Sequence, residues 1–271
     1  MSSGEHLVNE GMGDSRVIKV EDLSVRYGDD VILQDVTMEV FRGEIMVVAG
    51  GSGSGKSTLL RHMVGLSRPS SGRVEINGID ITTASAAELR AVLRGVGVLF
   101  QSSGLLSSMT LAENVTLPLS EFTDMPDAFI EAVVRMKLAM VGLEGYEDHF
   151  PSELSGGMRK RAGIARAMAL DPDILFLDEP FAGLDPITSA GLDLLVKRIN
   201  QRMGTTMVIV SHELESIFSL AQRIVMLDRG KRGIIAQGDP RALRDESPDP
   251  HVRHFFNREI EEKDETGRHG A

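Results

Sequence analysis

The segment GGSGSGKST at residues 50–58 constrains the fold of this chain more than any other feature. It satisfies G-x-x-x-x-G-K-[ST], with an apolar run before it and an apolar stripe at helical spacing after it. Glycines let such a loop curl so that its N–H groups point inward, and the helix start adds partial positive charge. The segment therefore predicts a phosphate-binding loop, although a flexible Gly/Ser loop could match by chance. The candidate ATP-binding residues in it are Gly50, Gly51, Ser52, Gly53, Ser54, Gly55, Lys56, Ser57 and Thr58.

Two side chains of this loop have a predicted chemical role. The motif places Lys56 within reach of the β and γ phosphates and lets the Ser57 hydroxyl ligate magnesium. The guanine-specifying pattern N-K-x-D does not occur in the sequence, so a GTPase is disfavoured.

Apolar runs along the chain predict the fold class. The runs at 45–49, 96–100, 174–177 and 207–210 lack alternation, which is typical of strands buried on both faces of a parallel sheet. Helical patterns lie between them, and together they indicate an α/β domain. The segments 17–27 and 31–41 flank a Gly-Asp-Asp turn and predict an N-terminal hairpin, while the largely helical stretch between 102 and 169 predicts an inserted helical subdomain.

Two helices in this pattern have apolar residues on one face, which we expect to lie in the core with methionine as gap filler. The first set is Phe129, Ala132, Val133, Met136 and Met140. The second set is Leu192, Leu195, Val196, Ile199 and Met203.

The domain prediction divides the chain into three parts. Residues 1–15 are expected to be disordered, 16–240 to form the nucleotide-binding domain with its helical subdomain at about 102–170, and 241–271 to be a charged tail. The sequence does not decide whether this tail is disordered or docks on a neighbouring subunit through its apolar patch His254-Phe255-Phe256.

Composition and charge exclude several function classes. A net charge of −11 argues against a nucleic-acid partner, and we interpret the basic cluster Arg159, Lys160 and Arg161 as a solvated helix face. The absence of cysteine removes disulfides, thiolate catalysis and zinc–thiolate sites. No apolar run approaches a membrane span and the amino terminus has no signal-like apolar region, so the cytoplasm is the expected location.

Two further segments favour nucleotide chemistry. Asp178 and Glu179 follow a buried run, at the strand end where ligand sites of parallel sheets lie; one carboxylate could hold magnesium and the other polarise the attacking water. A pair of helix-capping acids is the alternative. The sequence LSGG at 154–157 opens a helix with an anion-binding nest, although an isolated S-G-G is more often a plain N-cap.

The order LSGGM, DPDILFLDEP, AGLDP resembles the signature, Walker B and D-loop of ABC ATPases, and the resemblance extends from about residue 17 to 238. Tyr27 matches the aromatic residue that stacks on adenine, Gln101 the glutamine that senses magnesium, and His212 the switch histidine. Taken singly, these residues also fit an edge-strand aromatic, a surface amide and a core histidine.

The resemblance implies a P-loop NTPase fold: a RecA-like parallel sheet with helices on both faces, an antiparallel β-subdomain and an inserted helical subdomain. It further implies a head-to-tail dimer that encloses two ATP molecules with Mg2+. Glu179 would be the general base, His212 would hold the γ-phosphate, and Asp185 would communicate across the dimer.

The remaining roles follow from the same resemblance. The phosphate and metal ligands would be Lys56, Ser57, Gln101 and Asp178. The residues that close over the partner's nucleotide would be Ser155, Gly156, Gly157 and Met158. Met158 stands where many ABC proteins have glutamine, and Gly51 replaces a common proline.

Within this family the chain is most similar to the ATPases of MCE-type lipid transporters, the Mla phospholipid systems. The segments that carry this likeness are 101–119, LSGGMRKRAGIARA, FAGLDPITSAGLDLL and DPHVRHFF. It implies an Mla-type permease, an MCE-domain substrate-binding protein, a STAS-domain protein as a further candidate partner, and a peripheral position on the cytoplasmic face of the inner membrane. The ATPase of an amino-acid or organic-solvent importer is the alternative within transport, and a non-transport ABC protein of DNA repair or translation is the alternative outside it.

Overall fold

The computed structural model describes residues 16–257. The predicted disordered segment 1–15 and the end of the predicted tail, 258–271, lie outside the described residues. Within 16–257, none of the helices combines the length and apolar character that crossing a bilayer requires.

A four-stranded antiparallel sheet contains the predicted hairpin. Its strands are β1 (Arg16–Tyr27), β2 (Asp30–Phe41), β4 (Ser71–Ile76) and β5 (Ile79–Asp80), in the order β2-β1-β4-β5. Along β2, Val36, Met38 and Val40 are buried, whereas Thr37 between them is exposed. This alternation packs one face of the sheet on the core.

The second sheet has six strands and positions the site. Its strands are β3 (Ile45–Gly50), β6 (Val96–Leu99), β7 (Ile174–Asp178), β8 (Thr206–Val210), β9 (Arg223–Asp228) and β10 (Gly233–Gly238), in the order β10-β9-β3-β8-β7-β6. All pairings are parallel except β9 with β10. The four predicted apolar runs are β3, β6, β7 and β8, so the predicted fold class is confirmed.

Helices pack on both faces of this sheet and on one another. The helices are α1 (Lys56–Met63), α2 (Ala86–Leu93), α3 (Leu111–Phe122), α4 (Asp127–Met140), α5 (Gly156–Ala167), α6 (Pro186–Met203), α7 (Leu214–Leu220), α8 (Pro240–Glu246) and α9 (Pro250–Asn257). The central strands supply two cores, because successive side chains point to opposite faces. Val47 and Leu177 join the core beneath the helical insertion, whereas Val48 and Phe176 join the core shared with α1 and the antiparallel sheet.

The predicted buried face of α4 is wrong at Phe129, Ala132 and Met136, which are exposed, with Phe129 at 65% and Met136 at 54%. Val133 and Met140 are partly buried against the core, and the side chains that enter it fully are Ile130, Val134 and Leu138. Both stripes have helical spacing, so periodicity identified the helix without identifying which face packs inward.

The predicted face of α6 is buried at Leu192, Leu195, Val196 and Ile199. Met203, at the end of the helix, is 42% exposed. The prediction that methionine fills gaps in the core is therefore wrong for Met203 and for Met136 in α4.

The folded part extends past the boundary expected at residue 240. Helices α8 and α9 follow it, and Val252 and Phe256 are buried in the core beneath the helical insertion. The ring of Phe256 packs against Phe218 of α7 with 5.5 Å between ring centroids. Residues 241–257 thus form a docked helical segment, a difference from the expected charged tail.

Candidate nucleotide site

The site lies where the parallel strands end. β3, β8, β7 and β6 are adjacent in the sheet, and the chain leaves them through the predicted phosphate loop, His212, Glu179 and Gln101. These segments surround a cavity of about 670 Å3. Its lining residues are Ile32, Gly50, Gly51, Ser52, Gly53, Ser54, Gly55, Lys56, Ser57, Thr58, Gln101, Glu179, His212 and Phe255. The volume lies in the usual range of small-molecule sites.

The loop conformation depends on glycine at two positions. Gly50 has φ 145° and Gly55 has φ 95°, backbone regions that side chains rarely allow. A Cβ on Gly50 would lie 2.2 Å from the Leu227 carbonyl oxygen, and one on Gly55 would lie 2.6 Å from Leu33 Cδ2. The loop can therefore curl tightly between the two sheets before α1 begins.

The Lys56 side chain folds back over this loop. Its Nζ donates to the carbonyl oxygens of Gly50 (3.0 Å) and Gly51 (2.9 Å), and the residue is 9% exposed. Burial lowers the pKa of Lys56, an effect that the nearby Glu179 and Asp178 charges oppose. A buried cation at the start of a helix fits the binding of phosphate.

Ser57 and Asp178 are brought together, as the motifs predict. The Ser57 hydroxyl donates to Asp178 Oδ1 at 3.0 Å. Burial raises the pKa of Asp178 above its ordinary value, while the Ser57 hydrogen bond and the charges of Arg61, Lys160 and Lys56 lower it. These hard oxygen donors fit Mg2+, which usually takes one or two protein ligands and completes its shell with phosphate and water.

Glu179 occupies a strained, buried position. It is 7% exposed and has φ 48°, which is uncommon for a residue with a side chain. Its N–H donates to the Val210 carbonyl oxygen at 3.0 Å, and its carboxylate lies 2.9 Å from His212 Nδ1. Since the His212 side chain is 53% exposed, the pair connects a buried acid with the open part of the cavity.

The basic cluster on α5 is not a solvated face, so that interpretation is wrong. Lys160 is 6% exposed, and its Nζ donates to the carbonyl oxygens of Gln101 (2.6 Å) and Glu179 (2.9 Å). Arg159 and Arg161 donate to the carbonyl oxygens of Leu154 and Val141.

No motif in the sequence distinguished Lys160 from its two neighbours. One signal was available in its helical spacing. Lys160 lies three positions after Gly157 and four before Ile164, and both of these residues are buried on α5. Residues three and four apart share one face of a helix, so this spacing places Lys160 on the inward face.

The predicted signature residues lie elsewhere. Ser155 is the exposed N-cap of α5, where its hydroxyl accepts from the Met158 N–H at 3.3 Å. Gly157 packs so closely on α6 that a Cβ would lie 2.3 Å from Thr188 Cγ2. Neither these residues nor Gly156 is among the described residues that line the nucleotide cavity.

Asp185 is the corresponding N-cap of α6. Its carboxylate accepts from the N–H groups of Ile187 and Thr188, which lowers its pKa, with the Thr188 hydrogen bonds as the main cause. Asp185 is exposed and lies beside the signature through the Gly157–Thr188 contact. Two exposed helix starts therefore lie side by side, away from the cavity of their own chain.

The cavity walls differ from the motif prediction at two aromatic residues. Tyr27 ends β1, is 54% exposed and is not among the described lining residues. Phe255 of α9 does line the cavity, although the sequence offered it only as part of an apolar patch. Its placement depends on the docking of α9 on the core, which has no local sequence signal.

Comparison with known proteins identifies the family. Residues 33–182 match the ABC transporter family. The probable ribonucleotide transport ATP-binding protein mkl of Mycobacterium leprae is 42% identical over 266 residues, which cover 94% of this chain and 76% of that protein. The intermembrane phospholipid transport system ATP-binding protein MlaF of Escherichia coli K12 is 40% identical over 243 residues, which cover 90% and 89%.

Solved structures agree with this result. A dimeric ATP-binding cassette in a post-hydrolysis state with ADP and phosphate bound superposes with a TM-score of 0.75 at 31% identity, covering 82% of this chain and 98% of that one. A component of an ABC transporter complex of Clostridium perfringens superposes with a TM-score of 0.75 at 28% identity, covering 91% and 100%. The resemblance drawn from the motifs is thus confirmed. The chain belongs to the ATP-binding subunits of ABC transporters, and it is an ATP hydrolase.

Proposed function

We propose that two copies of this chain pair head to tail, enclose two ATP molecules and drive a separate membrane permease. One observation supports the dimer most strongly: the phosphate loop and Glu179 converge on one cavity, whereas Ser155 is exposed outside it. A helix start with an exposed hydroxyl and glycine backbone suits the binding of an anion. A second copy would bring this anion site to the first copy's open cavity.

The residue roles in this proposal follow from charge and reach. Lys56 and the loop N–H groups bind the β and γ phosphates, and Ser57, Asp178 and Gln101 hold Mg2+. Bound Mg2+ neutralises phosphate charge and orients the phosphates. Glu179 accepts the proton of the attacking water, and His212 orients the Glu179 carboxylate from 2.9 Å.

Tyr27 retains the adenine-stacking role only if nucleotide binding brings the base to it. The apolar residues that line the cavity and could contact the adenine base in place of Tyr27 are Ile32 and Phe255. Asp185 and Met158 belong to the surface that meets the partner copy.

A groove on the helical subdomain supports a permease partner. It has a volume of about 500 Å3 and runs between α2, β6, α3 and α5. Phe100, Leu117, Pro118 and Phe122 contribute apolar walls, and Arg166 lies on the α5 side. The groove could seat a short amphipathic helix of an integral membrane protein, since such helices bind in apolar grooves with a polar edge.

Phospholipid transport of the MCE/Mla type is the substrate class we infer. MlaF is matched over 89% of its length, whereas mkl is matched over 76% of its own. The name of mkl makes ribonucleotide transport the second candidate. In an Mla-type system the further partners are an MCE-domain protein and a STAS-domain protein, and the chain is peripheral on the cytoplasmic face of the inner membrane.

Purification of the chain with its native membrane partners, followed by mass spectrometry of proteins and lipids, tests this proposal. A permease accompanied by an MCE-domain protein and phospholipid is expected. A permease with a different binding protein would support the role of the chain as a transporter ATPase and contradict the proposed substrate class. Recovery without any membrane protein would contradict the transport role.

A further inference from the structure

A buried ammonium group lies directly behind the nucleotide cavity. Lys160 projects from α5, and its Nζ donates at once to the Gln101 carbonyl oxygen (2.6 Å) and the Glu179 carbonyl oxygen (2.9 Å). Gln101 follows β6 and Glu179 follows β7, so one side chain joins three separate segments. Both acceptor residues line the cavity, whereas Lys160 itself stands behind them.

The environment of Lys160 is unfavourable for a charge. The residue is 6% exposed, and within residues 16–257 no carboxylate oxygen forms an ion pair with it. Burial lowers the pKa of Lys160, and only the longer-range charges of Asp178 and Glu179 oppose this effect. Burying a cation with only two carbonyl partners costs free energy of folding. The effect that the structure shows for Lys160 is that it fixes the positions of these two carbonyl groups.

The backbone of Glu179 explains why such support is needed. A residue with a side chain at φ 48° persists only where its surroundings fix it. The Glu179 N–H is bonded to the Val210 carbonyl oxygen, and the Glu179 carbonyl oxygen is bonded to Lys160. These two hydrogen bonds hold the peptide groups on either side of Glu179 and so direct its side chain toward His212.

We infer that Lys160 is a positioning residue for hydrolysis, which locks the Gln101 loop and the strained Glu179 backbone into one arrangement. The inference rests on the proposed role of Glu179 as general base. Lys160 does not line the cavity, so it acts through Glu179 and Gln101. Because α5 begins next to Ser155, Lys160 also ties the signature helix of one chain to that chain's own hydrolytic residue.

The test compares three variants of the full chain. Lys160→Met keeps the side-chain length and removes the donor, whereas Lys160→Arg keeps charge and donors. Arg161→Met is the matched control, since Arg161 is the next residue on α5 and donates to the Val141 carbonyl oxygen outside the site. Each variant is measured for melting temperature, ATP affinity without hydrolysis, kcat and KM.

The expected result is a split between binding and turnover. Lys160→Met should lower kcat by roughly tenfold or more while ATP affinity changes less than about twofold, because the phosphate-loop contacts remain whereas Glu179 and the Gln101 loop lose the hydrogen bonds that orient them. Lys160→Arg should restore a large part of kcat. Arg161→Met should leave kcat near that of the parent chain.

A double-variant cycle separates this inference from the proposed function. If Lys160 acts through Glu179, adding Lys160→Met to Glu179→Gln should cause little further loss of kcat. Full turnover of Glu179→Gln alone would instead remove Glu179 from its proposed role. Parent-like kcat in a folded Lys160→Met variant, or an equal loss in Arg161→Met, would overturn the inference. If Lys160→Met does not fold, a folded Lys160→Arg variant whose kcat stays roughly tenfold or more below that of the parent chain would overturn the inference as well.

Discussion

The two regions that we propose contact phosphate, the cavity at the end of the parallel sheet and the start of α5, are built in opposite ways. The phosphate loop, Lys56, Asp178 and Glu179 lie at the end of a buried sheet, where each charged group has a hydrogen-bond partner within the same chain. The signature residues lie at an exposed helix start, where the Ser155 hydroxyl accepts from the Met158 N–H. In one region the charged groups are paired within the single chain, whereas in the other the helix start is exposed to solvent.

This difference indicates where each part of the chemistry is controlled. Buried charges with fixed partners are preorganised, which suits proton transfer and stabilisation of phosphate charge. An exposed helix start can bind an anion only after another molecule brings one to it. Assembly of the dimer would therefore regulate a site whose proposed hydrolytic residues are already arranged in the single chain.

The largest expected effect comes from the buried region. Glu179→Gln keeps the volume of the side chain but cannot accept a proton, so kcat should fall by about 10²- to 10⁴-fold. ATP binding should persist and the nucleotide-bound dimer should accumulate, which size-exclusion chromatography with ATP can measure. Turnover at the parent rate would exclude Glu179 as the general base.

A smaller but still large effect is expected at the exposed region. Ser155→Arg places a bulky cation on the surface that would meet the partner's nucleotide, and ATPase activity should fall by at least roughly tenfold through loss of the closed dimer. Steady-state ATP hydrolysis measures this loss.

Ser85→Arg provides a matched control for that variant. Ser85 is the exposed N-cap of α2 and accepts from the Glu88 N–H at 3.3 Å, the same distance as at Ser155. Both variants should lose a similar stability of about 0.5–2 kcal/mol from the lost cap, yet only Ser155→Arg should lose activity. Equal activity losses would mean that the signature contributes nothing beyond helix capping.

The smallest expected effect concerns stability without nucleotide. Burial raises the pKa of Asp178 above its ordinary value of 3.8, so the folded state binds this proton more tightly than the unfolded state does. The contribution of Asp178 to stability therefore falls as pH rises from 3.8 through the raised pKa, and it stays low above it.

Asp178→Asn removes that titration while its amide oxygen can still accept from Ser57. The variant should melt a few degrees higher than the parent chain at neutral pH, on the order of the shift that one stabilising substitution causes, and the gap should close as pH falls toward 3.8. Thermal unfolding followed by circular dichroism across this range measures it. A difference in melting temperature that does not change with pH would contradict the claim that burial raises the pKa of Asp178.

The sequence predicted the buried region well because its signals are local. Apolar runs marked β3, β6, β7 and β8, and the motif residues after them converge on one cavity. The roles assigned to those residues stay predictions until variants are measured.

What the sequence could not supply depends on tertiary packing. The helical spacing in α4 is shared by two apolar stripes, and only contact with α3 and α5 selects Ile130, Val134 and Leu138 for the core. Lys160 looked like one of three surface cations because its carbonyl acceptors lie 59 and 19 residues away along the chain. Phe255 reaches the cavity only because α9 docks on the core.

The most direct test of the head-to-tail dimer uses a property of the sequence: the chain contains no cysteine, so introduced cysteines are the only thiols. One chain would carry Ser52→Cys in the phosphate loop and the other Ser155→Cys in the signature, both with Glu179→Gln to retain ATP. After mixing with ATP and a short bis-maleimide, a crosslink between the Ser52→Cys chain and the Ser155→Cys chain is expected, and it should be absent without ATP. ATP-dependent dimers that crosslink only between like positions, or not at all, would contradict the composite site.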